Sequence, residues 1–125
     1  MNQKLPKSEI LRSKKKIQEL FHKGSSCSYC YPFQIRFQKG NEFPVPQVLF
    51  VVPKKNFKKA VDRNLLKRRI KEAYRLQKSF FQNHLQNIDF LAIIYVGKEI
   101  HEFYYIKKKL AEILCSFKSG FCKKF

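Results

Sequence analysis

Tryptophan is missing from this 125-residue chain, and methionine occurs once. Aromatic packing therefore falls to 13 phenylalanines and six tyrosines, enough for a packed core and too many for a chain disordered throughout. Acidic residues are scarce, nine against 27 lysines and arginines. Scattered as they are, no two make a convincing pair for acid–base catalysis. No P-loop, G-x-S-x-G or H-E-x-x-H is present, and His22, His84 and His101 are isolated, in settings where a surface residue is the ordinary reading. The apolar runs are too short for a membrane span, which needs about 20 residues. The opening MNQKLPKSEILRSKKK carries charge without an apolar centre, so it does not read as a secretory signal. A cytoplasmic location is expected. The four cysteines are then expected to be reduced. Cys27 and Cys30 form a lone C-x-x-C, too loosely spaced from Cys115 and Cys122 for an ordinary structural zinc site, and no protein-bound metal is expected.

What the chain has in excess is positive charge. A formal net charge of +18 and a pI near 10.0 exceed what solubility requires and concern partners rather than fold. Nucleic acid is the first candidate and an anionic membrane surface the second. The charge concentrates in Lys54–Lys78, which holds 11 of the 27 basic residues and only two acids, Asp62 and Glu72. Wound at 3.6 residues per turn, this stretch separates into two faces. Leu66, Ile70, Ala73 and Phe80 fall on one, flanked by Leu65, Leu76 and Phe81; Arg63, Asn64, Lys67, Lys71, Arg75 and Lys78 gather on the other. Like charges one turn apart cost an isolated helix about 0.2–0.5 kcal/mol per pair. A solvated helix face normally mixes signs, whereas a nucleic-acid backbone would neutralise this one. Arg69 points toward the apolar side and is expected to snorkel at its edge.

In chain order, Ser13 is an N-cap candidate for a short helix carrying Ile17, Leu20 and Phe21, running to about Lys23 and stopped by Gly24. Ser25–Tyr31 reads as a short edge strand. Phe33, Ile35 and Phe37 alternate with Gln34, Arg36 and Gln38, the pattern of a half-buried strand. After a loop over residues 39–46, the apolar run Val48–Val52 reads as a central strand. The basic helix follows Pro53 and extends to about Gln82. Ile88–Val96 reads as a fully buried strand, and Ile100–Phe117 as a closing helix. The fold class is α+β, a two-layer α/β sandwich in the order α-β-β-β-α-β-α. It forms one domain over residues 1–125, with residues 1–12 and 118–125 as flexible tails.

The ordered run from Pro53 to Ala73 resembles the signature of the bacterial ribonuclease P protein subunit: paired lysines, a short loop, then Ala60-Val61-Asp62-Arg63-Asn64 and a helical Lys67-Arg68-Arg69-Ile70-Lys71. The resemblance extends from about Leu5 to Phe117, including the first helix ending Glu19-Leu20-Phe21-His22-Lys23-Gly24. It implies a small central sheet with a left-handed β-α-β crossover, a ribosomal-protein-like fold. It also implies a non-catalytic protein subunit of an endoribonuclease that removes the 5′ leader of precursor tRNA. The Mg²⁺ ions and the chemistry would belong to the catalytic RNA subunit. The partners would be that RNA and precursor tRNA, without membrane or obligate protein partner. Carried over by position, Lys54, Lys55, Arg63, Asn64 and Arg68 would meet the RNA subunit. Phe21, Arg36, Lys67 and Lys71 would line the leader cleft, although Phe21 also reads as a core residue. Three positions depart from the pattern: Leu65 replaces an arginine many members carry, Ile17 and Arg36 stand where aromatics are frequent, and Arg69 where an apolar residue is common. The alternative is a generic RNA-binding or ribosomal protein with no processing role.

Overall fold

The strand that organises the molecule is Ile88–Tyr95, here β4, in which all eight residues are buried. In the computed structural model, which describes residues 9–21, 26–42, 46–81 and 88–115, the elements are α1 (Lys14–Leu20), β1 (Ser26–Cys30), β2 (Phe33–Lys39), β3 (Gln47–Val51), α2 (Ala60–Phe81), β4 and α3 (Phe103–Cys115). Their order is the one expected from sequence. The strands form one sheet in the order β1-β2-β4-β3. The β1/β2 and β2/β4 pairs are antiparallel and β3/β4 is parallel. The parallel pair is connected through α2, because parallel neighbours cannot be joined by a tight turn.

Side chains alternate across the sheet, which gives it two unlike faces. On the front, Phe33, Ile35, Phe37, Val48, Phe50, Leu91, Ile93 and Tyr95 form one core with Leu66, Ile70, Ala73 and Tyr74 of α2 and Ile106, Leu110, Ile113 and Leu114 of α3. On the back, Phe90 and Ala92 of β4 pack with Leu20 of α1 and Leu11 ahead of it, with Ile17 and Leu49 alongside. Helices α2 and α3 thus cover one layer, and the short α1 covers part of the other.

The reading of β3 as a central strand is overturned: it stands at the end of the four-stranded ladder. Its apolar run has a different cause, since Val48 and Phe50 face the front core while Leu49 meets the back cluster. The outer edge of β3 is occupied by the segment before α1, where Ile10 bridges Val48 in parallel and Leu11 N–H donates to the Val48 carbonyl at 2.9 Å. That segment is fastened by Lys78, whose Nζ donates to both oxygens of the buried Glu9 carboxylate at 2.9 and 2.8 Å. Residues 9–12 are therefore ordered rather than part of a flexible tail, because edge pairing and a part-buried ion pair hold them.

Ser13 caps α1 as expected, accepting the Lys16 amide. The described helix ends at Leu20, short of Lys23, and Gly24 lies outside the described residues, as do residues 82–87 and 116–125. Helix α3 begins at Phe103 rather than Ile100, which is 42% exposed. Helix α2 begins only at Ala60. Before it, the amides of Asn56 and Phe57 donate back to the Pro53 carbonyl, and the buried Phe57 ring anchors a turn where a longer helix was expected.

His101 is not the surface residue that its sequence setting suggests. It is half-buried, its ring stacks on Tyr105 at 4.2 Å, and its Nε2 is buried without a protein hydrogen-bond partner. The two cysteines of the C-x-x-C lie on β1 three residues apart, an odd step that sends them to opposite faces. Cys27 pairs across from Arg36 on the back, while Cys30 packs against the front core, and both are free thiols.

Candidate nucleic-acid interface

Helix α2 fixes the site because its apolar stripe leaves little freedom of rotation. Leu66, Ile70 and Ala73 are fully buried, so the residues between them are turned outward. Arg68 and Lys71 are exposed, Lys67 is half-buried, and Asn64 is exposed near the start of the helix. Tyr74 joins the buried face, a residue the periodic reading leaves out, whereas Leu76, assigned to its flank, is 49% exposed. The side chains of Phe80 and Phe81 lie outside the described residues. Burial and the nearby Glu9 carboxylate push the Tyr74 hydroxyl well above the usual phenol range, as a core tyrosine requires.

The cations along this helix are not equivalent. Toward the C-terminal end, Arg75 makes a two-pronged bond to Glu72, with Nε and Nη2 at 2.7 and 2.8 Å from the carboxylate oxygens. That pairing holds the Glu72 carboxyl below its ordinary range. Lys78 is committed to Glu9. Arg75 and Lys78 are thus neutralised within the protein. Among the described residues, no carboxylate pairs with Lys54, Lys55, Arg63, Lys67, Arg68 or Lys71. Along α2 and the turn before it, the uncompensated charge therefore lies in that turn and toward the first half of the helix.

Within that half, Arg63 has an internal task. Its Nη1 donates to the carbonyls of Phe57 and Lys58 at 2.8 and 2.9 Å, tying the Lys54–Lys59 turn to the helix. Lys54 and Lys55 are exposed at the tip of this turn. Arg63 thus holds the turn that carries Lys54 and Lys55 against the start of α2, the helix on which Asn64 and Arg68 lie. Arg69 neither joins them nor simply snorkels: its Nη1 donates to the His101 carbonyl at 2.7 Å, pinning the approach to α3.

The other candidates lie elsewhere. Phe21 follows α1 and is 41% exposed, which removes the alternative of a core role. The Arg36 guanidinium sits 5.6 Å from the Phe21 ring centre, forming a cation–aromatic pair on the back face. Arg36 stands in register with Ala92, at the margin of the area that α1 covers. Lys71 instead approaches the front-facing Phe50 ring, 6.0 Å from its centre. Phe21 at the end of α1 with Arg36 of β2, and Lys67 with Lys71 of α2, therefore lie on opposite faces of the sheet, with the end strand β3 at the rim beside α2.

Comparison with known proteins supplies the context. The family model for ribonuclease P matches residues 5–118. The chain belongs to the ribonuclease P protein family. It is 34% identical to the ribonuclease P protein component of Chlorobium phaeobacteroides, over 88% of this chain and 85% of that protein. It is 32% identical to that of Porphyromonas gingivalis, over 88% and 83%. Among solved structures, the ribonuclease P protein of Thermotoga maritima superposes with a TM-score of 0.71 at 25% identity, covering 86% of this chain and 96% of that one. Within this ribonuclease P protein, the departure at Leu65 has a local consequence. Leu65 is half-buried between exposed Asn64 and buried Leu66, so an apolar side chain occupies the margin of the basic surface. Among the described residues, no group of three or more histidine, cysteine or carboxylate side chains is placed to hold a metal ion, and no helix is long and apolar enough to cross a membrane.

Proposed function

We propose that this ribonuclease P protein subunit, whose role is in tRNA processing, works by binding two RNAs at once. The exposed cations at the start of α2 and on its preceding turn hold the catalytic RNA subunit. The back-face pair Phe21–Arg36, with Lys67 and Lys71 at the rim, holds the single-stranded 5′ leader of precursor tRNA. A flexible leader is suited to such a surface, where an aromatic ring offers a stacking plane and cations meet phosphates. Arg63 contributes by fixing the turn that presents Lys54 and Lys55. The RNA subunit carries the Mg²⁺ ions and the hydrolytic step; the protein raises the affinity of the assembly for leader-bearing substrate. The single observation that most supports this reading is the asymmetry of α2, fully buried at Leu66 and Ile70 and, among the described residues, with no carboxylate partner at Lys67, Arg68 or Lys71.

The test is cleavage of leader-bearing precursor tRNA by the cognate RNA subunit at low Mg²⁺, with and without protein. Addition of the protein should raise the rate sharply, and should do so much less for a substrate whose leader has been shortened to a single nucleotide. Equal rates with and without protein would leave an RNA-binding protein without a processing role.

A further inference from the structure

Away from α2, a second group of aromatic residues is assembled with no evident need in the core. Tyr31, at the β1–β2 turn, is 45% exposed. Its ring stands edge-on to His101, with centroids 6.3 Å apart at 86°. His101 stacks on Tyr105 at 4.2 Å and 30°, and the Lys109 ammonium lies 5.7 Å from the Tyr105 ring centre. The array is held from behind. Arg69 fixes the His101 carbonyl, and the Tyr95 hydroxyl donates to the Glu99 carbonyl at 2.6 Å. Gly97 lies so close to Pro32 and Tyr31 that a Cβ there would fall 2.9 Å from Pro32 Cβ and 3.4 Å from the Tyr31 hydroxyl. Along residues 98–112 there are four lysines, Lys98, Lys107, Lys108 and Lys109, against three glutamates, Glu99, Glu102 and Glu112, the last with a carboxylate oxygen 3.7 Å from the Lys109 ammonium.

A partly exposed tyrosine set edge-on to a stacked histidine–tyrosine pair, beside an excess of lysine, is a surface on which a nucleobase can lie while its phosphate meets an ammonium. The same arrangement suits a second copy of this chain poorly, because each copy carries a net charge of +18. We infer that the Tyr31–His101–Tyr105–Lys109 array is an additional RNA-contact site, taking an unpaired base of the RNA subunit by stacking on Tyr31. This rests on the RNA-binding role proposed above, and adds to it a contact outside both α2 and the Phe21–Arg36 face.

The test compares Tyr31→Leu, which keeps apolar bulk but loses the ring, with Tyr31→Phe, which keeps the ring but loses the hydroxyl. Affinity for the RNA subunit is measured over a salt series, with thermal melts of each variant alongside and Tyr105→Leu as a second probe of the stack. Tyr31→Leu should bind roughly 5- to 150-fold more weakly, the value of one lost base stack, with an unchanged salt slope. Tyr31→Phe should bind like the parent. Parent-like binding by Tyr31→Leu, or equal losses in both Tyr31 variants, would overturn the stacking site while leaving α2 as the RNA contact. Salt-independent or undetectable binding by the parent would instead remove the RNA-binding role, and this site with it. Loss of self-association in Tyr31→Leu, seen by sedimentation without RNA, would reassign the array to contact between copies.

Discussion

Replacing Lys54, Lys55 and Arg68 together by alanine is expected to weaken binding of the RNA subunit and to make it markedly less sensitive to salt. All three side chains are exposed and without carboxylate partners among the described residues, so their loss should leave the fold intact. Each phosphate contact removed lowers the log–log salt slope by about 0.7–0.9, so three contacts should flatten it by about 2–3. The control lies on the same helix. Arg75→Ala removes a charge already neutralised by Glu72 and should change the slope far less. A salt series by filter binding reads both. Equal slopes for the parent and the triple variant would move the RNA contact to another surface.

The second large effect is on stability. Ile70 is fully buried between the sheet and α3, and truncating it leaves a cavity that the surrounding Leu66, Ala73 and Tyr74 can only partly close. Ile70→Ala should destabilise the fold by about 2–5 kcal/mol. Leu76→Ala, a little over half a turn from Tyr74 and 49% exposed, should shift stability by no more than about 0.5 kcal/mol. Denaturant melts of the two variants distinguish the faces of α2 without reference to RNA. A parent-like melt for Ile70→Ala would mean that the helix is turned the other way.

Local pattern made much of this molecule readable from its residues, and the exceptions have identifiable causes. Phe33, Ile35 and Phe37 alternate with Gln34, Arg36 and Gln38, and the strand they predict buries the first three and leaves the second three half-buried, because period two admits one arrangement once one face is buried. Continuous apolar runs carry less information. They mark β4 correctly as fully buried but also place β3 at the centre, since a strand covered on both faces looks the same whether or not it has two neighbours. The cover on the back of β3 comes from Leu11 and Leu20, remote in sequence. Tyr74 was missed because a tyrosine at helical spacing reads as readily as a surface residue as a core one. The charge stripe was legible in composition but not in strength. That Arg75 and Lys78 are spoken for depends on Glu72 one turn earlier and on Glu9, 69 positions away. The Phe21–Arg36 pair and the Tyr31–His101 array are likewise products of tertiary folding, and no spacing in the chain announces either.

The most direct measurement of how α2 is used is lysine reactivity, read residue by residue with an amine-acetylating reagent and mass spectrometry. It is made on the free protein and on the complex with RNA subunit and precursor tRNA. Lys54, Lys55, Lys67 and Lys71 should be reactive in the free protein and protected in the complex, while the exposed Lys39 at the end of β2 stays reactive in both. Unaltered reactivity of the four, or protection at Lys39 in their place, would contradict the assignment of this helix as a buried anchor on one side and an RNA contact on the other.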